Sequence, residues 1–265
     1  MKKIYPFSFY FLYFGAGACF FPYIVLYYQS LGFTGAQIGL LFAISPLITL
    51  FGAPFWTGIA DTSHRHKLVM SITLLAAIGL VILYPFAKTI AAVLVLVSLY
   101  SFMIAPVNSF ADTATMTMLG DQKDMYGRVR VGGTLGWGIA APIAGLVIAK
   151  FGLSWAFWSY AALLFIGFLV SQQFVFSEVR QQVSVRHGMR ELFSNRRMVL
   201  FLVAAFVTGM ALSSINSFLS AYMNELGISK SVLGVALSIS TLSELPVLFF
   251  GNRLLARLTP HGMLI

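Results

Sequence analysis

The chain has 265 residues, of which 59% are hydrophobic and 9% charged, and its mean hydropathy is +0.88. Soluble domains carry about a quarter charged residues, so this balance excludes an ordinary soluble fold and describes a polytopic membrane protein. The net charge of +9 does not point to nucleic acid: with the N-terminus inside, only Lys88, Lys150 and Lys230 fall outside, and the other 14 of the 17 lysines and arginines fall inside, as the positive-inside rule requires.

Apolar stretches near or above the roughly 20 residues needed to cross hydrocarbon run at about 7–28, 37–60, 68–86, 91–118, 129–150, 154–176, 198–223 and 231–252. They predict eight spans. Lys2 and Lys3 precede span 1, whose apolar run is longer than a signal-peptide core and lacks a clear small-residue cleavage site, so it reads as a retained helix. Within it, Gly15 to Ala18 permit close helix approach or a bend, and Tyr23, Tyr27 and Tyr28 read as interfacial aromatics. Cys19 is the single cysteine, which excludes an internal disulfide. The loop after span 2 carries Asp61, His64, Arg65, His66 and Lys67.

Spans 4 and 5 form a hairpin with Asp112 in one arm and Arg130 at the entry to the other. The turn centres near Asp121, so counting nine residues either way puts both charges at the same depth on antiparallel helices, where they can meet. A charge in a membrane helix costs roughly 2.5 to 3.5 kcal/mol on insertion scales and usually faces protein or a wet cavity. Asn108, Asp112 and Thr115 are spaced by four and three, on one helical face. Pro106 precedes them and bends the helix. A kinked polar face of this kind suits a solute cavity, and an ion pair that only fixes packing is the alternative. Span 5 holds Gly132, Gly133, Gly136 and Gly138, which invite close packing against span 4 or another neighbour.

After span 6, residues 177–197 form the longest polar segment and fit a cytoplasmic linker between two halves. Span 7 carries a stripe of Ser213, Asn216, Ser217 and Ser220, suited equally to hydrogen-bonding a solute and to helix–helix bonding. Span 8 carries Glu244, the second of two acids inside spans, one turn after Ser240 and Thr241. Glu244 reads either as a proton-exchanging group or as a neutral structural one. At an offset of 195 residues, Tyr27, Leu31, Gly32, Gly39 and Ser45 recur as Tyr222, Leu226, Gly227, Gly234 and Ser240. Such a repeat makes spans 1 and 7 the openings of two related bundles. The expected division is 1–176 as a six-helix bundle, 177–197 as linker and 198–265 as the first two helices of an incomplete second bundle. Scattered histidines give no zinc set, and no nucleotide loop or nucleophile elbow occurs. No cofactor or metal is expected.

The run from Tyr126 to Trp137, Tyr-Gly-Arg-Val-Arg-Val-Gly-Gly-Thr-Leu-Gly-Trp, with Asp112 eighteen residues before Arg130, resembles the corresponding helices of the lactose permease-like branch of the major facilitator superfamily. The stretch from Pro106 to Asp112 and the segment from Glu244 to Arg257 resemble the neighbouring phenylpropionate transporter-like branch even more closely. This resemblance implies that Asp112 and Arg130 hold substrate as a charged pair, that a sugar would stack on Trp137, and that Asp61, Arg65 and Lys67 lock an inner gate. In that gate loop His64 stands where the family has its second glycine. Thr241 aligns where a sugar permease has its span 8 acid, and Glu244 lies one turn further along.

These readings combine into one expectation: an all-α polytopic membrane protein of the major facilitator fold, a proton-coupled symporter of a small organic solute rather than an enzyme. Asn108, Asp112, Arg130, Trp137, Asn216 and Ser217 would bind the solute, and Asp112 and Glu244 would carry protons. An aromatic carboxylate such as phenylpropionate is favoured over a sugar or glycoside. The alternatives are a truncated, non-transporting product and a lipid-modifying membrane enzyme. The expected setting is a monomer in the cell membrane with a cytoplasmic N-terminus, in the inner membrane for a bacterium, whose partners are its substrate, protons and the lipid bilayer, with no nucleic acid.

Overall fold

A computed structural model describes residues 3–177, 196–243 and 245. Among them all regular structure is helical: α1 (Ile4–Ser30), α2 (Gly35–Ser63), α3 (His66–Leu83), α4 (Ile90–Ile104), α5 (Val107–Leu119), α6 (Tyr126–Phe151), α7 (Trp155–Ser171), α8 (Arg196–Glu225) and α9 (Lys230–Leu242), with short 3-10 turns at Tyr84–Phe86 and Lys123–Met125. Among the described residues, six helical stretches are long and apolar enough to cross a membrane, α4 and α5 together forming one of them. The other two expected spans appear as shorter apolar helices, α7 with 17 residues and α9 with 13. Most of the remainder of span 8, including Glu244, lies outside the described residues, as does most of the linker.

Local chemistry accounts for the boundaries. Thr34 opens α2 with a reciprocal capping box, its side chain accepting from the Gln37 amide while the Gln37 side chain accepts from the Thr34 amide. Ala105 and Pro106 interrupt span 4, so α4 ends at Ile104 and α5 starts at Val107, as a proline without an amide donor dictates. His64 closes α2 at φ 54°, in the left-handed region, the conformation for which the glycine of the resembled loop is suited.

The 195-residue repeat reappears in the backbone. Gly32 and Gly227 both follow their helix at positive φ, 78° and 74°. Gly32 N donates to Gln29 O and Phe33 N to Tyr28 O, and Gly227 N to Asn224 O and Ile228 N to Met223 O, at the same offset. Thr34 and Ser229 then cap the next helices through their hydroxyls. The two turns therefore share one helix–turn–helix backbone geometry.

Helix α1 is central: 72% of its apolar window is buried, against 17% for α2 and none for α8. It packs on α6, α7 and α8, and α6 in turn packs on α9. Small residues permit this. A Cβ at Gly136 would lie 2.0 Å from the Phe11 carbonyl oxygen of α1, and one at Gly234 would lie 2.5 Å from the Ala141 carbonyl oxygen of α6. The neighbours of the span 5 glycines are thus spans 1 and 8 and not span 4, with Gly138 set against Leu242 and its carbonyl accepting from the Ser238 hydroxyl at 2.5 Å.

Tyr23, Tyr27 and Tyr28 are buried, at 1%, 4% and 2% exposure, so their rings meet protein. They turn inward because α1 is surrounded by protein. Tyr27 packs on Phe157 and its hydroxyl donates to the Tyr84 carbonyl at 3.1 Å. The neighbouring phenols Tyr100 and Tyr160 are 2.5 Å apart and bond each other, whereas the buried Tyr23 hydroxyl has no hydrogen-bond partner among the described residues.

Candidate functional site

The bend at Pro106 and the turn at Gly120 bring α5 back onto α6, and the Asp112–Arg130 pair forms. Arg130 Nη1 donates to Asp112 Oδ1 at 3.3 Å and to Oδ2 at 3.5 Å. The side chains are 37% and 44% exposed for Asp112 and Arg130 respectively, so the pair is only partly covered by protein. Asp112 is seven residues from the end of α5, about 10 Å along the axis. The pair lies toward the end of the hairpin that carries the turn.

Two tyrosines absent from the expected site complete it. Tyr10, fully buried on α1, donates to Asp112 Oδ1 at 2.6 Å. Tyr126 donates to the same oxygen at 2.9 Å and accepts from Arg130 Nη1 at 2.6 Å. Thr115 donates to the Tyr10 hydroxyl at 3.3 Å and to the Ala111 carbonyl. The Arg130 guanidinium also stands 5.8 Å and 5.9 Å from the Tyr10 and Tyr126 ring centres, within cation–π range. Tyr126 could have been found from its spacing, four residues before Arg130 on one helix. Tyr10 sits 102 residues from Asp112, with no local pattern to announce it.

Arg130 faces a cavity of about 370 Å³, shared with Phe14, Thr134, Trp137 and Thr241. Trp137 and Thr241 also line a second cavity of about 470 Å³, with Phe21, Phe42 and the hydroxyl residues Ser213, Ser220 and Ser240 among its walls. Ser220 is 2% exposed and its hydroxyl has no hydrogen-bond partner among the described residues. Asp112 faces the other way, into a recess with Thr117, Asp121 and Lys123. The ion pair therefore stands between an aromatic chamber and a recess beside the α5–α6 turn.

Other expected site residues are placed differently. Asn108 is exposed on α5, one turn before Asp112, and Thr115 extends the polar face to Tyr10. Asn216 and Ser217 fall in α8, their side chains outside the described residues; Glu244 is outside them too. Around the α2–α3 connection, Asp61 bonds His66 Nε2 at 2.7 Å, Lys67 donates to the Gln172 carbonyl at the end of α7, and Arg65 precedes α3 as its N-cap. His66, unassigned from sequence, stacks on Phe176 with ring centres 5.6 Å apart.

Residues 7–265 match the family model described as MFS_1 like family. The chain belongs to this family, within the major facilitator superfamily, and is a membrane-spanning protein. It is 26% identical over 258 residues to the maltose permease of Geobacillus stearothermophilus, covering 97% of this chain and 65% of that protein. It is 24% identical over 222 residues to the uncharacterized transporter YwbF of Bacillus subtilis, covering 83% and 55%. A multidrug resistance protein MdtG, from Salmonella arizonae, is 29% identical over 242 residues, covering 83% and 59%. The chain thus spans between about half and two thirds of the length of these relatives. Among solved structures, the nucleoside transporter NupG (D323A mutant) superposes with a TM-score of 0.83 at 20% identity, over 97% of this chain and 69% of that one, a likeness of fold.

Proposed function

We propose that this protein works as a proton-coupled symporter of a small organic solute, with an aromatic carboxylate as the favoured class. The observation that carries the reading is the half-exposed Asp112–Arg130 pair beside a chamber walled by Trp137. While Asp112 is ionised it neutralises Arg130. Protonation of Asp112 frees the guanidinium, whose planar fork then takes a carboxylate in two parallel hydrogen bonds, with the solute's ring against Trp137. Loss of the proton restores the ion pair and ejects the anion. Proton and anion would thus move together because each is needed to hold the other.

Asn108, Asn216 and Ser217 would complete the solute site and Glu244 would be a second proton carrier. Asp61, Arg65 and Lys67 would act at the inner gate, through the partners described above. The protein would operate as a monomer with its N-terminus in the cytoplasm, in the inner membrane if its source is bacterial. A glycoside is the second reading, favoured by the uncharged, hydroxyl-bearing chamber beyond Trp137 and by the similarity to a maltose permease.

Binding to purified protein separates the two. Phenylpropionate is expected to quench tryptophan fluorescence in the wild type and not in Trp137→Phe, with affinity rising as pH falls and lost in Arg130→Gln. Quenching by a galactoside or maltoside, insensitive to Arg130→Gln and absent with phenylpropionate, contradicts the carboxylate reading in favour of the second.

A further inference from the structure

The cavity that Arg130 faces and the chamber beyond Trp137 follow one another along the same helices. Phe14 of α1 and Arg130 of α6 line the first cavity, and Phe21 and Trp137, seven residues further along each helix, line the second. That step is about 10 Å along a helix axis. Trp137 and Thr241 belong to both walls, so the two spaces meet at the indole. Its place is set by α1: a Cβ at Gly17 would stand 3.1 Å from Trp137 Cζ3.

The second chamber, of about 470 Å³, has no charged residue in its wall, which combines aromatic rings and leucines with the hydroxyl residues Ser213, Ser220, Ser240 and Thr241. Helical hydroxyls elsewhere in the protein satisfy themselves by donating to the carbonyl one turn back, as Thr57 does to Ala53, Thr62 to Gly58, Thr113 to Ser109 and Thr117 to Thr113. Ser220 does not. It is 2% exposed, and its hydroxyl has no hydrogen-bond partner among the described residues. A buried hydroxyl left unpaired is a cost, and here the cost falls at the wall of a cavity. A partner brought in by a solute removes it.

We propose that the chamber beyond Trp137 is a second compartment of the solute site, in which Ser220 hydrogen-bonds an uncharged hydroxyl carried at the end of the solute opposite its carboxylate. This rests on the reading of an aromatic carboxylate held by Arg130. With its carboxylate on Arg130 and its ring against Trp137, such a solute presents its far end to the second chamber. An apolar end leaves Ser220 unpaired, and a charged end meets no counter-charge in the wall. A neutral phenol or alcohol satisfies it. Ser220 is then a specificity-determining residue, because a site built to bond a hydroxyl rejects the analogue that lacks one.

The test is competition against labelled phenylpropionate on purified full-length protein. The competitors are 4-hydroxyphenylpropionate and 4-methylphenylpropionate at about pH 7, where a phenol is neutral. Hydroxyl and methyl groups are close in size, so the ratio of the two affinities reads hydrogen bonding and not fit. The hydroxyl compound is expected to bind at least about tenfold more tightly in the wild type, and Ser220→Ala to bring the two within about threefold of each other. Because the hydroxyl has no partner to lose, Ser220→Ala without ligand should melt no lower than the wild type.

Equal affinities of the two competitors in the wild type, a preference that survives Ser220→Ala, or a lower ligand-free melting temperature for that variant each overturn the inference. In those cases phenylpropionate binding that is lost in Arg130→Gln leaves the carboxylate reading standing. If labelled phenylpropionate itself does not bind, that reading falls and the inference falls with it.

Discussion

Asp112 and Arg130 are close enough to bond and exposed enough, at 37% and 44%, for solvent and solute to compete for them. A charge-assisted hydrogen bond contributes about 1.5–3 kcal/mol, so loss of the bond from Arg130 to a bound carboxylate should weaken binding about 10- to 100-fold. Arg130→Gln is expected to show that loss in a binding titration with phenylpropionate, while Arg130→Lys, keeping the charge without the planar fork, should recover only part of it. Retention of wild-type affinity by Arg130→Gln means that the pair is a packing device. His64 offers a separate prediction. Its left-handed backbone, at φ 54°, costs a residue with a Cβ roughly 1–2 kcal/mol, so His64→Gly should raise the thermal inactivation temperature in detergent.

The same residues show what a linear pattern can disclose. Counting from Asp121 was sufficient to set Asp112 opposite Arg130, because two antiparallel helices convert equal sequence distance into equal depth. The same count could not reach Tyr10, whose meeting with Asp112 depends on α1 lying against both α5 and α6. Between α2 and α3, the family resemblance marked Asp61, Arg65 and Lys67, yet the bond to Asp61 comes from His66, because the first turn of α3 carries His66 back over the end of α2 while Lys67 reaches α7.

At the scale of elements, α6 is the helix to which the others conform. Gly136 lets the Phe11 carbonyl approach one side, and on another side Ala141 approaches Gly234 of α9. A methyl group at either glycine meets backbone, not a flexible side-chain tip. Gly136→Ala should therefore lower folded yield in the membrane sharply, and Gly136→Val more so, whereas Gly79→Ala, with open space around it, should be silent. Fluorescence-detected size exclusion of tagged variants reads this directly, and equal monodisperse peaks for Gly136→Val and wild type would contradict the packing. The glycine content of span 5 signalled close approach from sequence, but not the partner, because small residues report distance and not identity. The proline break in span 4 was legible for the opposite reason: its cause is local.

For the whole molecule, hydropathy and the sorting of basic residues marked out a helical membrane protein, and the repeated turn at Gly32 and Gly227 gives two points of the chain the same backbone geometry. α1, α6 and α9 meet around the chambers that share Trp137, so the proposed solute contacts both the part before the linker and the part after it. Motion between those parts would change the walls of the chamber, to which Trp137 of α6 and Ser240 of α9 both contribute. The decisive measurement is uptake of labelled phenylpropionate by proteoliposomes containing the full-length protein, with and without an imposed inward proton gradient. Accumulation above equilibrium that requires the gradient, and that disappears in Asp112→Asn, is the predicted result. Uptake that only equilibrates, or accumulation unaffected by Asp112→Asn, contradicts the account.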